Sequence, residues 1–98
     1  MNPRARALLE QRSYRQAAHL LLRRLVVTPD DALAHHELGR AYAGLGLTTA
    51  ARRQFAEAVR LDPENAAFHA ALVGVQRNNT TEEAHVARSV HDSVSRLP

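Results

Sequence analysis

The chain has 98 residues, 45% of them hydrophobic, and a formal net charge of +3 at neutral pH. This length suits a single domain with a modest core. The absence of cysteine excludes disulfides, thiolate zinc sites and cysteine nucleophiles. Arg23 and Arg24 interrupt the longest apolar run, which argues against a membrane span or a secretory segment, so we take the cytoplasm as the default location. Every basic residue is arginine, which favours a GC-rich, bacterial source.

Six helices are predicted in chain order. Pro3 suits a first helical turn, Ser13 with Gln16 forms a capping box, and Thr80 with Glu83 forms another. Alanine, leucine, arginine and glutamate favour helix throughout, and no segment shows the alternation of a strand. We therefore expect an all-α chain, with helices near residues 3–11, 14–27, 31–44, 49–61, 65–77 and 81–96.

The central pair of helices has complementary faces. Leu38, Gly39 and Tyr42 share one face of the third helix. A face of the fourth helix carries small and aromatic residues, namely Ala51, Phe55 and Ala58. We expect Gly39 and Ala51 to lie where the two backbones approach closely, with the rings of Tyr42 and Phe55 filling the space beside them. Between the helices, positive φ is expected at the two turn glycines and an N-cap at the threonine, which are Gly44, Gly46 and Thr48.

The same template recurs 34 residues earlier, where Ala17, Leu21 and Pro29 correspond to residues of the central pair. Leu38, Gly39, Tyr42, Ala51, Phe55, Ala58 and Pro63 together resemble a tetratricopeptide repeat (TPR). The copy that begins at residue 66 is degenerate, since Val73 and Gln76 replace the glycine and the tyrosine. The resemblance implies a right-handed α-solenoid of about three antiparallel helix hairpins. These form one domain over 1–98, with repeats near 1–31, 32–65 and 66–98.

The resemblance also implies a non-enzymatic scaffold that binds a peptide or helix of another protein. In TPR-like arrays the first helices of the hairpins line a concave groove. The corresponding residues here are Arg6, Leu33, His36, Glu37, Arg40, Ala67, Ala70, Gly74, Arg77 and Asn78. The floor of this groove carries small side chains and its rim carries basic ones, which favours an acidic peptide or an acidic chain end as ligand.

Two alternatives remain open. The chain could be a self-associating array segment or a spacer of a larger assembly, so a homo-oligomer is possible. It could also bind nucleic acid through arginine, because residues 1–29 carry six arginines against Glu10 alone. The same charge also suits a plain solvated surface. Tyr14 is the one aromatic residue interleaved with these arginines, so nucleic acid is the minor alternative.

The sequence contains no pattern typical of a catalytic or metal-binding site. No histidine pair has the i, i+4 spacing of metal ligands, and no serine follows a glycine elbow. His35 and His69 occupy equivalent repeat positions facing the second helix, where we expect packing residues, and His36 points the other way. We expect no enzyme activity, no metal and no cofactor.

One sharper TPR function is a clamp for the carboxylates of chaperone C-terminal tails. The positions that match this clamp hold Asn2, Arg6, Glu37, Ala67 and Ala71. Glu37 would repel the carboxylate that the clamp holds. We predict no binding to such tails, and tight tail-dependent binding to a chaperone peptide would contradict this.

Overall fold

The computed structural model describes residues 3–77, and within them the backbone forms helices joined by short turns, with no strand. The helices are α1 (Pro3–Glu10), α2 (Tyr14–Val27), α3 (Ala32–Gly44), α4 (Thr48–Leu61) and α5, which covers residues 66–77. The first four predicted helices are confirmed to within one residue at each boundary, and so is the start of the fifth. The sixth, predicted over 81–96 with its capping box at Thr80, lies outside the described residues.

The helices form stacked antiparallel hairpins. α2 and α4 have the same length of 14 residues and begin 34 residues apart, at Tyr14 and Thr48. α3 packs most extensively on α4 and next on α2, while α1 packs on both α2 and α3. Each hairpin therefore lies beside the next, as a helical solenoid requires.

The core is built mainly on alanine, which lets the helix backbones approach closely. One cluster joins the first hairpin to α3, and a second joins α4 to α5. Tyr42 packs against both clusters and so links them. The buried residues of the two clusters are Ala5, Leu9, Ala17, Ala18, Leu21, Ala34, Leu38 and Ala41, then Ala51, Phe55 and Val75.

The turns inside the two complete hairpins use one backbone motif. Arg12 and Gly46 both have positive φ, of 60° and 79°, and each follows the end of a helix. The next amide in each turn reaches back to the preceding helix, with Ser13 N–H donating to Leu8 O at 2.8 Å and Leu47 N–H to Tyr42 O at 2.9 Å. This is the pattern of a Schellman motif, which reverses the chain after a helix.

Three predictions about these turns are wrong in detail. Gly44 is helical, and a Cβ there would lie 2.5 Å from the ring of Tyr14, so close packing explains this glycine. Thr48 is the first helical residue of α4, and Leu47 occupies the N-cap. Ser13 is the N-cap of α2, but its side chain makes no capping bond, because its ψ of 63° departs from the extended conformation that N-caps usually adopt.

Side-chain caps occur instead between the hairpins. Asp31 Oδ1 accepts a hydrogen bond from Ala34 N–H at 3.0 Å at the start of α3. Asn65 Oδ1 accepts one from Phe68 N–H at 3.2 Å at the start of α5. The two caps are again one repeat apart, so the chain enters each hairpin in the same way.

Candidate functional site

The first helices of successive hairpins lie side by side. The His36 ring on α3 stacks on the Phe68 ring on α5, with centroids 4.8 Å apart and planes at 29°. The same imidazole lies 5.4 Å from the ring of Phe55 on α4. Because α1 also packs on α3, the helices α1, α3 and α5 form one continuous row.

Most of the predicted groove residues on these helices are exposed to solvent. Leu33 is half-buried, and the exposed members are Arg6, Arg40, Ala67, Ala70, Gly74 and Arg77. Asn78 lies outside the described residues. Arg6 forms an exposed ion pair with Glu10 on its own helix, at 3.5 Å. The surface thus combines small side chains on α5 with arginines on three helices.

Glu37 does not lie on that open surface. Only 4% of this residue is exposed, and burial raises the pKa of its carboxyl group, although Arg40 and Arg6 act to lower it. The prediction that Glu37 faces a ligand is therefore wrong. On the wheel of a single helix Glu37 lies outside the face of Leu38, Gly39 and Tyr42, but the packing of α1 on α3 covers positions between neighbouring first helices.

His36 is a packing residue rather than an open rim group. Its imidazole lies between two aromatic rings, and its Nδ1 is buried without a hydrogen-bond partner among the described residues. Burial lowers the pKa of His36, and the neighbouring Arg40 lowers it further. The neutral ring is the form that suits this position.

His35 and His69 make the same contact one repeat apart. Nε2 of His35 donates to the carbonyl oxygen of Pro29 at 2.8 Å, and Nε2 of His69 donates to that of Pro63. Nδ1 of His35 also lies 2.8 Å from the side-chain amide of Gln54 on α4, which confirms that this histidine faces the second helix. Both histidines tie a first helix to the loop before it.

An ion pair joins the first two hairpins. Arg24 Nε donates to Asp31 Oδ2 at 2.8 Å. Burial alone would raise the pKa of Asp31, but the hydrogen bonds from Arg24 and from the Ala34 amide, with the charge of Arg24, outweigh it and lower that pKa. Asp31 is also the cap of α3, so this pair holds the junction between repeats.

Two features that would bear on function are absent from the part of the chain that the structure describes. Residues 3–77 contain no cluster of three or more histidine, aspartate or glutamate side chains that could hold a metal ion. In the same range, no helix has the length and apolar character needed to cross a membrane.

The fold and the sequence agree on the class of protein. A tetratricopeptide repeat family model matches residues 2–66 and, in a second register, residues 36–90. The two matches overlap and together cover most of the chain, so the chain belongs to the tetratricopeptide repeat family. Among proteins with curated descriptions, none matches this sequence significantly.

Solved structures of MamA share this architecture. One is MamA, residue 41 to its end, from Desulfovibrio magneticus RS-1, with a TM-score of 0.74 and 26% identity over 96% of this chain and 55% of that chain. Another is an ArsTM double mutant of MamA RS-1, with a TM-score of 0.73 and 28% identity over 91% of this chain and 48% of that chain. The chain therefore spans about half the length of these structures. The family and the fold support a protein–protein interaction scaffold.

Proposed function

We propose that this TPR domain binds an acidic peptide or short helix of a partner protein along the row formed by α1, α3 and α5. The observation that carries the proposal is the contact between His36 and Phe68. It brings α3, which carries an exposed arginine, beside α5, which carries small exposed side chains. Ala67, Ala70 and Gly74 are exposed on α5. A Cβ at Gly74 would meet nothing within 4 Å, so a peptide backbone has room to approach there.

The charges on this row suit carboxylates. Arg40 is exposed on α3, next to the buried Glu37 and the half-buried His36, and it forms no ion pair within residues 3–77. The Arg6–Glu10 pair is exposed, and exposed pairs contribute little, so a ligand carboxylate can compete for Arg6. Arginine binds carboxylates in a bidentate manner, which orients a peptide as well as attracting it.

The test is capture of a partner from the source cell by the full chain and by two charge-matched variants. Arg40→Ala with Arg77→Ala removes two arginines from the row. Arg53→Ala with Arg60→Ala removes two exposed arginines from α4, which lies outside the row. We expect the first variant to lose the partner and the second to retain it, with helicity and mass unchanged in both. Equal capture by both variants would rule out the groove.

A third variant tests the floor without a change of charge. Gly74→Leu places a large side chain where the structure leaves open space. We expect this substitution to weaken capture while leaving the helix content intact, because leucine favours helix more than glycine does. Undiminished capture by Gly74→Leu would show that the ligand does not cross α5 at this point.

Self-association is a second candidate, and one observation favours it. Val26 and Val27, at the end of α2, are 84% and 83% exposed. Adjacent exposed valines are a contact surface suited to a second copy. Sedimentation at increasing concentration tests this second function. A dimer that dissociates in the Val26→Ser, Val27→Ser variant supports self-association, whereas a monomer at all concentrations excludes it.

A further inference from the structure

A second surface lies between α1 and α2 of the first hairpin. A cleft of about 480 Å³ opens there, and it is lined by two leucines, three arginines, a histidine and a glutamine. The arginines are positively charged hydrogen-bond donors. The lining residues are Arg4, Leu8, Arg15, Gln16, His19, Leu20 and Arg23. None of them is a carboxylate, so the cleft combines an apolar floor with a basic rim.

The three arginines of the cleft are available to a ligand. Within residues 3–77, Arg4, Arg15 and Arg23 form no ion pair and no side-chain hydrogen bond. This contrasts with Arg24 on the same helix as Arg23, which pairs with Asp31 at 2.8 Å. Three unpaired guanidinium groups around one cleft repel each other, and a ligand with several carboxylates relieves that repulsion.

The repeat register shows what shape this surface accepts. Arg4 and Leu8 on α1 lie 34 residues before Leu38 and Tyr42 on α3. Leu38 is fully buried in the cluster that joins α3 to the first hairpin, and Tyr42 packs against the same cluster. On α3, these two positions pack against the helices of the preceding hairpin. The corresponding positions on α1 line an open cleft instead.

We propose that this cleft binds an amphipathic, acidic helix of a partner protein. An apolar side chain of the ligand enters between Leu8 and Leu20, and carboxylates on either side of it meet Arg4, Arg15 and Arg23. The leucine floor and the helical register favour a protein helix over nucleic acid. No aromatic side chain lines the cleft, so bases have no surface on which to stack.

This surface differs from the groove proposed above. Arg4 lies in the cleft and Arg6 lies on the row of first helices, and two residues on a helix are separated by roughly 200° of rotation. The two surfaces therefore use different sides of α1. Failure of one proposal leaves the other standing, and variants of each serve as controls for the other.

The test is a titration of the isotope-labelled full chain with a synthetic peptide, followed by amide NMR. The peptide is an alanine-based helix with a stripe of leucines flanked by glutamates, and its control replaces every glutamate with glutamine. We expect saturable shifts of the amides of α1 and α2 with the acidic peptide, and at least a tenfold weaker response to the neutral one, about 1.4 kcal/mol.

Matched variants assign the binding to particular side chains. Arg4→Gln with Arg23→Gln should lower the affinity for the acidic peptide about tenfold or more, which is about 1.4 kcal/mol of binding free energy. Arg53→Gln with Arg60→Gln changes the net charge equally but lies on α4, and should leave the affinity within about twofold. Leu20→Ala keeps the net charge and should also lower the affinity for the peptide. Circular dichroism checks that this variant remains folded.

Several results would overturn the proposal. These are no saturable shift with the acidic peptide, equal binding of the acidic and neutral peptides, equal weakening by the two double variants, or shifts confined to α3 and α5. A single-stranded thymidine oligonucleotide that shifts the same amides more strongly would assign the cleft to nucleic acid instead. A dimer formed through α1 and α2 in the absence of peptide would assign it to a second copy of the chain.

Discussion

The aromatic ring of Phe55 occupies the space beside the backbone of Gly39. A Cβ placed on Gly39 would lie 2.6 Å from both Cδ1 and Cε1 of that ring, well inside van der Waals contact. Phe55 is itself buried in the cluster that joins α4 to α5, so its ring has little freedom to move. The sequence predicts that Phe55 fills the space beside the small Gly39, and this is confirmed: the glycine accommodates a ring that helps hold three helices together.

Gly39→Ala should therefore destabilise the protein. Alanine favours helix over glycine by about 1 kcal/mol. Overpacking against a buried ring costs about 1–3 kcal/mol, and we expect this cost to prevail. Gly74→Ala is the matched control, because a Cβ there meets nothing within 4 Å and only the helix propensity acts. Urea unfolding should show opposite signs for the two variants, and a gain in stability for both would show that Phe55 moves aside.

Phe68→Ala should loosen α5 from α3 and α4. Phe68 is buried and its ring stacks on His36, so its removal costs the burial of an aromatic side chain and the stacking contact, roughly 3–5 kcal/mol. Hydrogen exchange should show early loss of protection in α5 with smaller changes in α1 and α2. Val73→Ala on the same helix removes a half-exposed side chain and should change stability by less than about 0.5 kcal/mol.

Stability should fall as the pH decreases below about 6.5, the ordinary pKa of histidine, because of His36. Burial and the charge of Arg40 lower the pKa of this imidazole in the folded chain, so the unfolded chain binds the proton first. Protonation in this pH range therefore favours unfolding. Thermal unfolding of the wild type and of His36→Phe, measured from pH 7.5 to about 5, isolates this contribution.

His36→Phe retains a ring between Phe55 and Phe68 but does not titrate. Its melting temperature should fall less than that of the wild type over the same pH range. Parallel curves for the two proteins would contradict the assignment of the pH dependence to His36.

Glu37→Gln should stabilise the protein at neutral pH. Burial is the largest cause of the raised pKa of Glu37, so folding is opposed when this carboxyl is ionised. A group whose pKa is higher in the folded chain than in the unfolded chain stabilises the fold fully below its unfolded pKa, which is 4.5 for Glu37. This stabilisation is lost as the pH rises through the folded pKa. The benefit of glutamine should therefore be seen at pH 7 and shrink at pH 4.

Glu10→Gln is the control for this effect. Glu10 is exposed and pairs with Arg6 only at the surface, so its neutralisation should change the melting temperature little at either pH. A destabilised Glu37→Gln at pH 7 would mean that the ionised carboxylate makes a favourable interaction that outweighs its burial.

The periodicity of single helices was enough to define much of the molecule. The boundaries of α1 to α4 and the start of α5 follow from apolar spacing, Pro3 and the turn residues, all of which are local along the chain. The 34-residue correspondence of α2 and α4 follows from the sequence in the same way. Hydrophobic repeats are visible in sequence because each helix must present one apolar face to its neighbour.

Contacts between helices were decided by the tertiary structure alone. The burial of Glu37 and the stacking of His36 on Phe68 depend on how far neighbouring helices overlap, which no single helical wheel contains. In the repeat register, Arg4 lies at the position that Leu38 holds in the next repeat. Only the packing of α1 on α2 shows that this departure belongs to a basic cleft, because the cleft is formed by two helices at once.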